Sequence, residues 1–306
     1  MQQAGGAGFR AGFVTVFGRP NAGKSTLVNR LVGQKVAIVS DKPQTTRNRI
    51  LAVVNRPDGQ LVLFDTPGIH KPQHRMNRGM VTTAIESLGR ADLALWLVDV
   101  QEPFGPGDRY VCELLRKAGR PALLGLNKID TLARSALLPI IDRYRSLLDF
   151  SEIVPLSART GENVERLGQL LVSRLPESPP LYPEDFLSDQ PERFFVAEMI
   201  RERILQHTRE EIPYATGVVI GSFQEDGTLV RIEADVFVER ESQKGILIGR
   251  GGSMLKAIGT EARAEIEGFL GTKIYLGLFV KVREDWREDP QVLERMGLAD
   301  GRRSDR

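Results

Sequence analysis

The fold of this chain is decided by the stretch "FVTVFGRPNAGKSTLVNRLV", residues 13–32. Its first part, Phe13–Gly18, is a compact apolar run that predicts a strand buried on both faces, and Lys24–Val32 has the pattern of a helix. Between them, Gly18–Ser25 matches G-x-x-x-x-G-K-S/T. A strand, this loop and a helix in direct succession form a P-loop, whose backbone N–H groups and helix N-terminus surround the phosphates of a nucleotide. A strand-to-helix turn that binds nothing is the weaker alternative, because the match is complete.

The side chains of this loop supply a positive charge and a metal ligand. Lys24 is expected to reach the β- and γ-phosphates, and the Ser25 hydroxyl is expected to bind Mg²⁺. The residues predicted to line the phosphate site are Gly18, Arg19, Pro20, Asn21, Ala22, Gly23, Lys24, Ser25 and Thr26.

Four further apolar runs of the same kind follow along the chain, and each ends in polar residues. They are "QLVLFDTPG", "LALWLVD", "ALLGLNK" and "EIVPLSA". Helical patterns such as Met76–Gly89 and Asp108–Ala118 lie between several of them. Alternating strands and helices predict an α/β domain with a doubly wound, mostly parallel sheet. In such a sheet, ligands bind beyond the carboxyl ends of the strands, so the polar ends of these runs are the candidate site.

Two of the strand ends complete a site for a guanine nucleotide. After "LVLFDTPG", Asp65 can hold Mg²⁺ through water, and the Gly68 N–H can bond the γ-phosphate. After "LLGLNKID", Asp130 can accept hydrogen bonds from two N–H groups of guanine, a pair that adenine does not offer. Each fragment alone is weak evidence, but all of them in this order after strands indicate a GTPase. The remaining residues predicted to bind GTP are Asn127, Lys128, Asp130, Ser157, Ala158 and Arg159.

These motifs, GRPNAGKS, DTPG, NKID and SAR, resemble those of the translation-factor-related class of GTPases. The resemblance implies that a threonine of "DKPQTTRNRI" binds Mg²⁺ when GTP is present, and Thr46 is favoured over Thr45. It gives Lys24, Thr46 and Gly68 as the catalytic set, and Ser25, Thr46 and Asp65 as the metal ligands.

The segment after Gly68 departs from the pattern of many GTPases, which place a water-orienting glutamine there. Here the two positions are Ile69 and His70, and isoleucine cannot orient water by hydrogen bonding. Slow intrinsic hydrolysis is therefore expected, with His70 a weak candidate for positioning the water. Asn21 resembles the asparagine with which relatives hold K⁺ beside the phosphates, but asparagine is also a good turn residue. Both interpretations of Asn21 stay open.

The composition and the order of predicted elements change after residue 176. Residues 175–192, "LPESPPLYPEDFLSDQPE", hold five prolines and five acidic residues, which is typical of a semi-rigid linker. The next ~95 residues predict helix, strand, strand, helix, helix and strand in that order. A second glycine loop lies between the two central helices, within "KGILIGRGGSMLKAIG", residues 244–259.

This second loop is not a second nucleotide site, because it lacks the lysine and hydroxyl of a P-loop. Gly249–Gly252 fits G-x-x-G, with which KH domains bring backbone close to a single-stranded nucleic acid. Alone it would be a plain turn between helices, but the order of elements around it favours an α+β KH domain of the prokaryotic type. Leu247 is a further apolar residue expected in the groove for the bases. The residues predicted to bind RNA are Lys244, Ile246, Ile248, Gly249, Arg250, Gly251, Gly252 and Lys256.

A P-loop GTPase domain, a proline-rich linker and a KH domain together closely resemble the Era family of bacterial ribosome-assembly GTPases, over about residues 10–290. The resemblance implies GTP/GDP and Mg²⁺ as ligands, with K⁺ left open. It implies binding to the 3′ end of 16S rRNA in 30S subunit assembly, without DNA, by a cytoplasmic monomer. A weak peripheral association with the inner face of the cell membrane is also left open. The predicted divisions are a flexible N-terminus (1–9), the GTPase domain (10–176), the linker (177–190), the KH domain (191–290) and a charged tail (291–306).

Composition leaves one competing interpretation. Residues 1–176 hold 24 Lys/Arg and 15 Asp/Glu, a difference of +9, whereas residues 177–306 hold 18 and 25, a difference of −7. The acidic C-terminal balance mildly favours a signalling or membrane-associated GTPase whose C-terminal domain binds protein. An ATP-dependent RNA enzyme is opposed by NKID, and a membrane-spanning helix is not expected because no stretch approaches ~18 apolar residues. The single cysteine, Cys112, excludes an internal disulfide.

Overall fold

The computed structural model describes residues 8–69, 74–227 and 229–298 and divides the chain into two units. The first unit consists mainly of residues up to Asp189. The second runs from Gln190 and also takes in two short segments, 38–42 and 73–79. The division falls inside the predicted linker, 177–190. The N-terminal residues predicted to be flexible lie largely outside the described part, which begins at Gly8.

Within the described residues, six strands and five helices build the first unit. They are β1 (Arg10–Phe17), α1 (Lys24–Val32), β2 (Ile50–Arg56), β3 (Gly59–Asp65), α2 (Arg75–Arg90), β4 (Leu93–Asp99), α3 (Pro106–Ala118), β5 (Ala122–Asn127), α4 (Leu137–Arg145), β6 (Glu152–Leu156) and α5 (Val164–Ser173). The strand order is β2-β3-β1-β4-β5-β6, and every pair is parallel except β2 with β3. The predicted α/β fold with a mostly parallel sheet is therefore confirmed. The antiparallel strand β2 was not predicted.

The middle of this sheet explains the continuous apolar runs of the sequence. Every residue of β3, β4 and β5 is buried, as expected for strands with helices on both faces. Because β1, β3, β4, β5 and β6 run in the same direction, their carboxyl ends lie at one edge. That edge receives the P-loop after β1, Asp65 at the end of β3, and Asn127 at the end of β5. The topology thus places the predicted motifs together.

The proline-rich segment after α5 packs on the sheet rather than hanging free. The Val53 backbone N–H of β2 donates to the Leu187 carbonyl at 3.0 Å. On β3, the Gln60 side-chain oxygen accepts from the N–H groups of Leu181 and Tyr182, at 2.7 and 2.9 Å. The Val53 bond uses part of the free edge of β2, which would otherwise expose unpaired backbone groups. This part of the predicted linker is therefore a structured component of the first unit.

In the described part of the second unit, three strands carry helices on one face. Its elements are α6 (Glu192–His207), α7 (Ile212–Ala215), β7 (Gly217–Asp226), β8 (Leu229–Val238), α8 (Glu241–Ile248), α9 (Ser253–Leu270), β9 (Lys273–Val282) and α10 (Pro290–Arg295). The strand order is β7-β8-β9, with β7 antiparallel and β9 parallel to β8. The predicted KH order is confirmed, with the short α7 added. Its core joins α6, α8 and α9 to the sheet through residues such as Ile200, Leu247, Ile258, Ile232 and Val236.

The end of the second unit differs from the charged tail predicted from residue 291. Residues 290–295 form α10, and the side chains of Val292 and Leu293 are buried. Asp289 caps this helix by accepting from the Val292 N–H at 3.4 Å and from the N–H before it at 2.9 Å. Nearby, buried Trp286 donates its indole N–H to the Ala215 carbonyl at 2.8 Å. Apolar side chains in a charged sequence thus anchor this segment.

The helices are amphipathic surface helices of a globular protein. The 18-residue α9 buries Ile258, Ala262 and Ile266, whose spacing of four residues puts them on one face. Charged and exposed residues such as Glu261 and Arg263 flank this buried face. In the described ranges, no helix is both long enough and apolar enough to cross a membrane.

Candidate functional site

The backbone of the P-loop requires glycine at two positions. A Cβ on Gly18 would lie 2.3 Å from the Leu97 carbonyl oxygen, and one on Gly23 would lie 2.3 Å from Nδ2 of Asn127. Gly23 also has φ of +90°, in the left-handed region that other residues rarely adopt. The loop can therefore press against β4 and the NKID loop.

Lys24 is the buried cation of this loop. Its side chain is 6% exposed, and its ammonium donates to the carbonyls of Arg19 at 2.9 Å and Gly18 at 3.4 Å. Burial lowers the pKa of Lys24 to about 8, while the nearby Asp65 carboxylate acts in the opposite direction. A poorly solvated ammonium held at the start of a helix gains strongly from a polyphosphate, which supports the predicted role of Lys24.

Three oxygen-bearing side chains meet beside the first turn of α1. The Ser25 hydroxyl donates to Oδ2 of Asp65 at 2.7 Å and lies 2.7 Å from the Thr46 hydroxyl. Burial raises the pKa of Asp65 to about 6, against the hydrogen bond from Ser25 and the charge of Lys24. Among the described residues, the buried Oδ1 of Asp65 has no hydrogen-bond partner. Hard oxygen ligands with one unsatisfied carboxylate oxygen fit Mg²⁺.

Both candidate threonines of the switch segment, Thr45 and Thr46, are buried. The Thr46 hydroxyl lies 2.7 Å from the Ser25 hydroxyl, which itself donates to Asp65. This position supports Thr46 as the ligand, in line with the preference from the sequence.

The segment after Asp65 lies against the P-loop. A Cβ on Gly68 would stand 2.6 Å from the Cα of Pro20, so the two backbones are in close approach. The next N–H, of Ile69, donates to the Gly18 carbonyl at 3.0 Å. The Ile69 side chain is buried, in accord with its exclusion as a water-orienting group. His70, the other candidate for that role, lies outside the described residues.

Asn127 ties three loops together at the base end of the site. Its amide donates to the Ala22 carbonyl of the P-loop at 2.8 Å. Its side-chain oxygen accepts from the Ala158 N–H of the SAR segment at 2.9 Å. Asn127 is almost completely buried, so these bonds are protected from water. The SAR residues are thereby fixed beside the predicted guanine site.

The carboxylate predicted to bind guanine is held ionised. Asp130 accepts from the Ser157 hydroxyl at 2.6 Å and pairs with Arg159, and the Ser157 hydrogen bond is the main cause that lowers the pKa of Asp130. An ionised carboxylate accepts hydrogen bonds only, as recognition of two guanine N–H groups requires. Lys128 has φ of +70° and forms an ion pair with Asp99 at 2.5 Å.

Sequence reasoning missed three residues that shape this site. Asp99, the partner of Lys128, ends the run "LWLVD", and this position at a carboxyl strand end was a signal that could have identified it. Asn29 accepts from the N–H groups of Val36 and Ala37, both at 2.9 Å, and so fixes the chain after α1. Asp108 of α3 is buried and holds Arg19 of the P-loop at 3.1 Å. Neither Asn29 nor Asp108 belongs to a motif. Asp99 and Asp108 do line a cavity of about 250 Å³ beside the P-loop, whose walls are Arg19, Pro20, Asn21, Pro43, Leu97, Val98, Asp99, Glu102 and Asp108.

In the second unit, the G-x-x-G loop is a tight turn between α8 and α9. Gly249, Gly251 and Gly252 have φ of +74°, +59° and +79°, so three of its four residues are in the left-handed half of conformational space. A Cβ on Gly249 would lie 2.8 Å from the backbone N of Met254, whereas no atom of the described residues lies within 4 Å of a Cβ on Gly251 or Gly252. The outer part of the loop therefore leaves space for a ligand to reach the backbone.

The predicted RNA-binding side chains are arranged around this loop with one exception. Arg250 and Lys256 are exposed, and Ile246 is 51% exposed on α8. Leu247, expected to line the groove, is instead fully buried in the core of the second unit. Adjacent residues of a helix point about 100° apart, so Ile246 and Leu247 cannot both face the same groove.

Comparison with protein families and known proteins agrees with both halves of this description. Residues 13–128 match a family described as 50S ribosome-binding GTPase, and residues 211–287 match the KH domain family. GTPase Era of Heliobacterium modesticaldum is 51% identical over 291 residues, which cover 94% of this chain and 97% of the relative. GTPase Era of Geobacter metallireducens is 49% identical over 291 residues, 94% of this chain and 98% of the relative.

Solved Era structures resemble this chain over 95% of its length. A crystal structure of Era with MgGDPNP and nucleotides 1506–1542 of 16S ribosomal RNA is 39% identical, with a TM-score of 0.92 over 95% of this chain and 99% of that one. Aquifex aeolicus Era bound to GDP·AlF4⁻ is 38% identical, with a TM-score of 0.91 over the same shares of the two chains. Sequence identity, coverage and fold thus agree, and the chain belongs to the Era family of GTPases.

Proposed function

We propose that this protein is a GTP-hydrolysing switch that binds the single-stranded 3′ end of 16S rRNA and acts in assembly of the 30S ribosomal subunit. The observation that carries the RNA part is the open turn at Gly249–Gly252, where no described atom lies within 4 Å of a Cβ on either of the last two glycines. A phosphate can approach such a backbone closely, and KH domains clamp about four nucleotides with this kind of loop. The Era structure that holds nucleotides 1506–1542 of 16S ribosomal RNA supports the same target.

At the nucleotide site, the residues of this chain bind the nucleotide, orient it and exclude water from around it. Lys24 balances the charge of the β- and γ-phosphates, and Gly68 offers its N–H to the γ-phosphate. Ser25, Thr46 and Asp65 would hold Mg²⁺, which supplies neutralisation of the phosphate charge when bound. Asp130 selects guanine through its two N–H groups, and Asn127 keeps that loop aligned with the P-loop. The Era structure with MgGDPNP supports this ligand set.

Slow hydrolysis is part of the proposal, because the residue after Gly68 is the buried Ile69 and cannot orient a water. We also propose that Asn21 helps to hold K⁺ beside the phosphates, where the ion would stabilise developing charge as an arginine finger does. Asn21 has φ of +60° and lines the cavity beside the P-loop. GTP turnover measured in K⁺ and in Na⁺ buffers tests this role, and equal rates would contradict it.

RNA binding is tested with one variant and a matched control. Gly251→Asp places a negative charge and a strained side chain on the open turn, so a short pyrimidine-rich RNA should bind at least about tenfold more weakly in filter binding. Gly268→Asp puts the same charge at an exposed position of α9 and should bind RNA like the wild type. GTP binding should be equal in all three proteins. No RNA affinity with either GTP or GDP would refute the proposal.

The negative balance of the C-terminal part is the observation that favours a protein partner instead. In that case the wild type would bind no RNA, while retaining full GTPase activity. We further propose that the protein acts as a cytoplasmic monomer on the 30S subunit. Sedimentation with purified 30S subunits and flotation with anionic lipid vesicles test the ribosomal partner and the peripheral membrane association separately.

A further inference from the structure

One face of the sheet β7-β8-β9 is covered by helices, and the other carries two exposed aromatic rings. On β9, Ile274, Leu276 and Leu278 point toward the helical core. The alternate residues point the opposite way, and among them Tyr275 is 50% and Phe279 is 48% exposed. Exposed large apolar side chains that stand together usually mark a binding surface.

A glycine between the two rings joins them into one surface. A Cβ on Gly277 would lie 3.3 Å from a ring carbon of Phe279 and 3.6 Å from a ring carbon of Tyr275. Both rings therefore lean over this residue from its two sides. Tyr275 and Phe279 are four positions apart, about 13 Å along the strand, and the lean of both rings over Gly277 brings them closer together than that. We name Tyr275, Gly277 and Phe279, with Arg231 and Glu233 of β8, the aromatic face.

The β8 side chains beside these rings carry charges of both signs. Arg231 is paired in register with Tyr275, and its guanidinium carbon lies 5.6 Å from the centre of that ring. Glu233 is exposed and lies in register with Gly277, the residue between the two rings. The arrangement offers stacking surfaces together with one cation for a phosphate and one acceptor for a base amino group.

We propose that the aromatic face stacks two successive bases of single-stranded RNA, as an extension of the site at Gly249–Gly252. This inference rests on the proposed RNA-binding function. Continuity favours RNA over other partners: α8 and α9, which hold that loop, pack on β9, and β9 is the edge strand of the described sheet. A strand of RNA that crosses this edge passes from the loop to the aromatic face.

Glu233 gives the aromatic face a base preference. A carboxylate accepts hydrogen bonds and repels another acceptor, so it favours a base with an exocyclic amino group, such as cytosine, over uracil. Glu233→Gln removes the charge and adds a donor. The wild type should therefore bind a twelve-nucleotide oligocytidine more tightly relative to oligouridine than the Glu233→Gln variant does.

Stacking is observed directly with a tryptophan reporter in the full-length protein. Trp96 and Trp286 are both fully buried, so the Phe279→Trp variant would carry a single exposed tryptophan. Its fluorescence should be quenched by a twelve-nucleotide single-stranded RNA and not by a four-nucleotide RNA, which fills the loop site alone. The same titration of the wild type gives the background from the buried tryptophans.

Affinities separate this inference from the proposed function. Tyr275→Ala and Phe279→Ala should each weaken binding of the twelve-nucleotide RNA about fivefold or more, and leave the four-nucleotide RNA unchanged. Tyr275→Phe keeps the ring and should bind like the wild type. Leu138→Ala, at an exposed apolar residue of α4, is the control for general loss of apolar surface.

The outcomes are distinct. If the wild type binds neither RNA, the proposed function fails and this inference with it. If the wild type binds RNA but the two alanine variants bind the longer RNA equally well, the inference alone is refuted, and the aromatic face is left to a protein partner. Quenching by the longer RNA together with the selective loss of its affinity establishes the stacking surface.

Discussion

Gly23 shows how little freedom the nucleotide site has at the scale of single residues. Its φ is +90°, and a Cβ at this position would stand only 2.3 Å from Nδ2 of Asn127, so no side chain fits. The same Asn127 side chain bonds Ala22 and Ala158, so one amide sets the distance between the P-loop and the NKID and SAR segments. Because each of these bonds is buried, a change at any of the residues shifts the others.

The neighbouring threonines of the switch segment provide a matched pair. Thr46→Ala removes the hydroxyl that lies 2.7 Å from the Ser25 hydroxyl, and should lower GTP turnover at least about tenfold and raise the Mg²⁺ concentration needed for half-maximal rate. Thr45→Ala should change both quantities less than about threefold. Steady-state phosphate release against Mg²⁺ concentration measures them, and the reverse ranking would assign the ligand to Thr45.

Asp130 should determine which nucleotide base the site binds. Asp130→Asn replaces an acceptor-only group by an amide that can donate, so two guanine N–H groups lose their charged acceptor. Each such bond is worth about 1.5–3 kcal/mol, and GDP affinity should fall at least about a hundredfold by calorimetry. Asp142→Asn, at an exposed residue of α4, should bind GDP like the wild type. Near-normal affinity of the Asp130 variant would contradict this assignment.

At the scale of elements, α8 shows how one short helix serves both stability and binding. Leu247 is fully buried in the core with the sheet, whereas its neighbour Ile246 is 51% exposed. The helix ends at Ile248, and the next residue, Gly249, has a φ of +74° that turns the chain toward α9. Packing of the buried side therefore fixes where the exposed side and the glycine loop stand.

Truncation to alanine should affect a different property at each of these two neighbouring residues. Leu247→Ala should lower the free energy of unfolding by about 2–5 kcal/mol, because it leaves a cavity in the core of the second unit. Ile246→Ala should change it by less than about 0.5 kcal/mol but weaken RNA binding. Urea unfolding and filter binding measure the two properties. Equal stabilities of the variants would show that the burial of Leu247 contributes nothing.

The junction of α9 and β9 predicts a pH effect. Glu267 accepts from Lys273, the Ile274 N–H and Arg263, and the bond from Lys273 is the main cause that lowers its pKa from 4.5 to about 2. The unfolded chain therefore takes up this proton first. The stabilisation is fully present above about pH 4.5 and is lost as the pH falls toward 2.

Glu267→Gln removes the titrating carboxylate. Any pH dependence of stability that remains in this variant therefore comes from the other titratable groups. The difference in unfolding free energy between wild type and variant should be larger at pH 7 than at pH 3, measured by urea denaturation. A difference that stays constant between these pH values would mean that Glu267 titrates alike in the folded and unfolded chains.

At the scale of the whole molecule, each unit has its own core and its own buried tryptophan. Trp96 lies in the core of the first unit beside Tyr144, with ring centres 5.4 Å apart. In the second unit, Trp286 is fully buried and bonded to the Ala215 carbonyl. The nucleotide site is built from residues of the first unit and the glycine loop from those of the second.

Single-tryptophan variants should therefore report the two units separately. In Trp286→Phe, GDP with Mg²⁺ at a hundred times its Kd should add about 2.7 kcal/mol to the unfolding reported by Trp96. In Trp96→Phe, the same ligand should leave the unfolding reported by Trp286 nearly unchanged. An equal shift in both variants would mean that the units unfold as one.

Local sequence was sufficient where a function depends on neighbouring residues. The P-loop, DTPG, NKID and G-x-x-G segments are each continuous, and their glycines meet conformational demands that only the immediate backbone sets. Strand periodicity then predicted a parallel sheet, and a parallel sheet brings the ends of its strands together. The α/β fold, the KH order and the nucleotide-binding loops followed from these patterns, and the membership of the Era family followed from the resemblance of the combined motifs.

Other features were decided only by the tertiary structure. The antiparallel strand β2, the packing of residues 181–187 on the sheet, the ion pair of Asp99 with Lys128 and the burial of Leu247 all depend on residues far apart in the chain. The exposure of Tyr275 and Phe279 on one face is of the same kind, because alternation along β9 does not say which side the helices will cover. Hydrogen bonds and packing between distant segments are properties of the folded chain, because a local pattern can mark a residue such as Asp99 but does not specify the partner that folding brings to it.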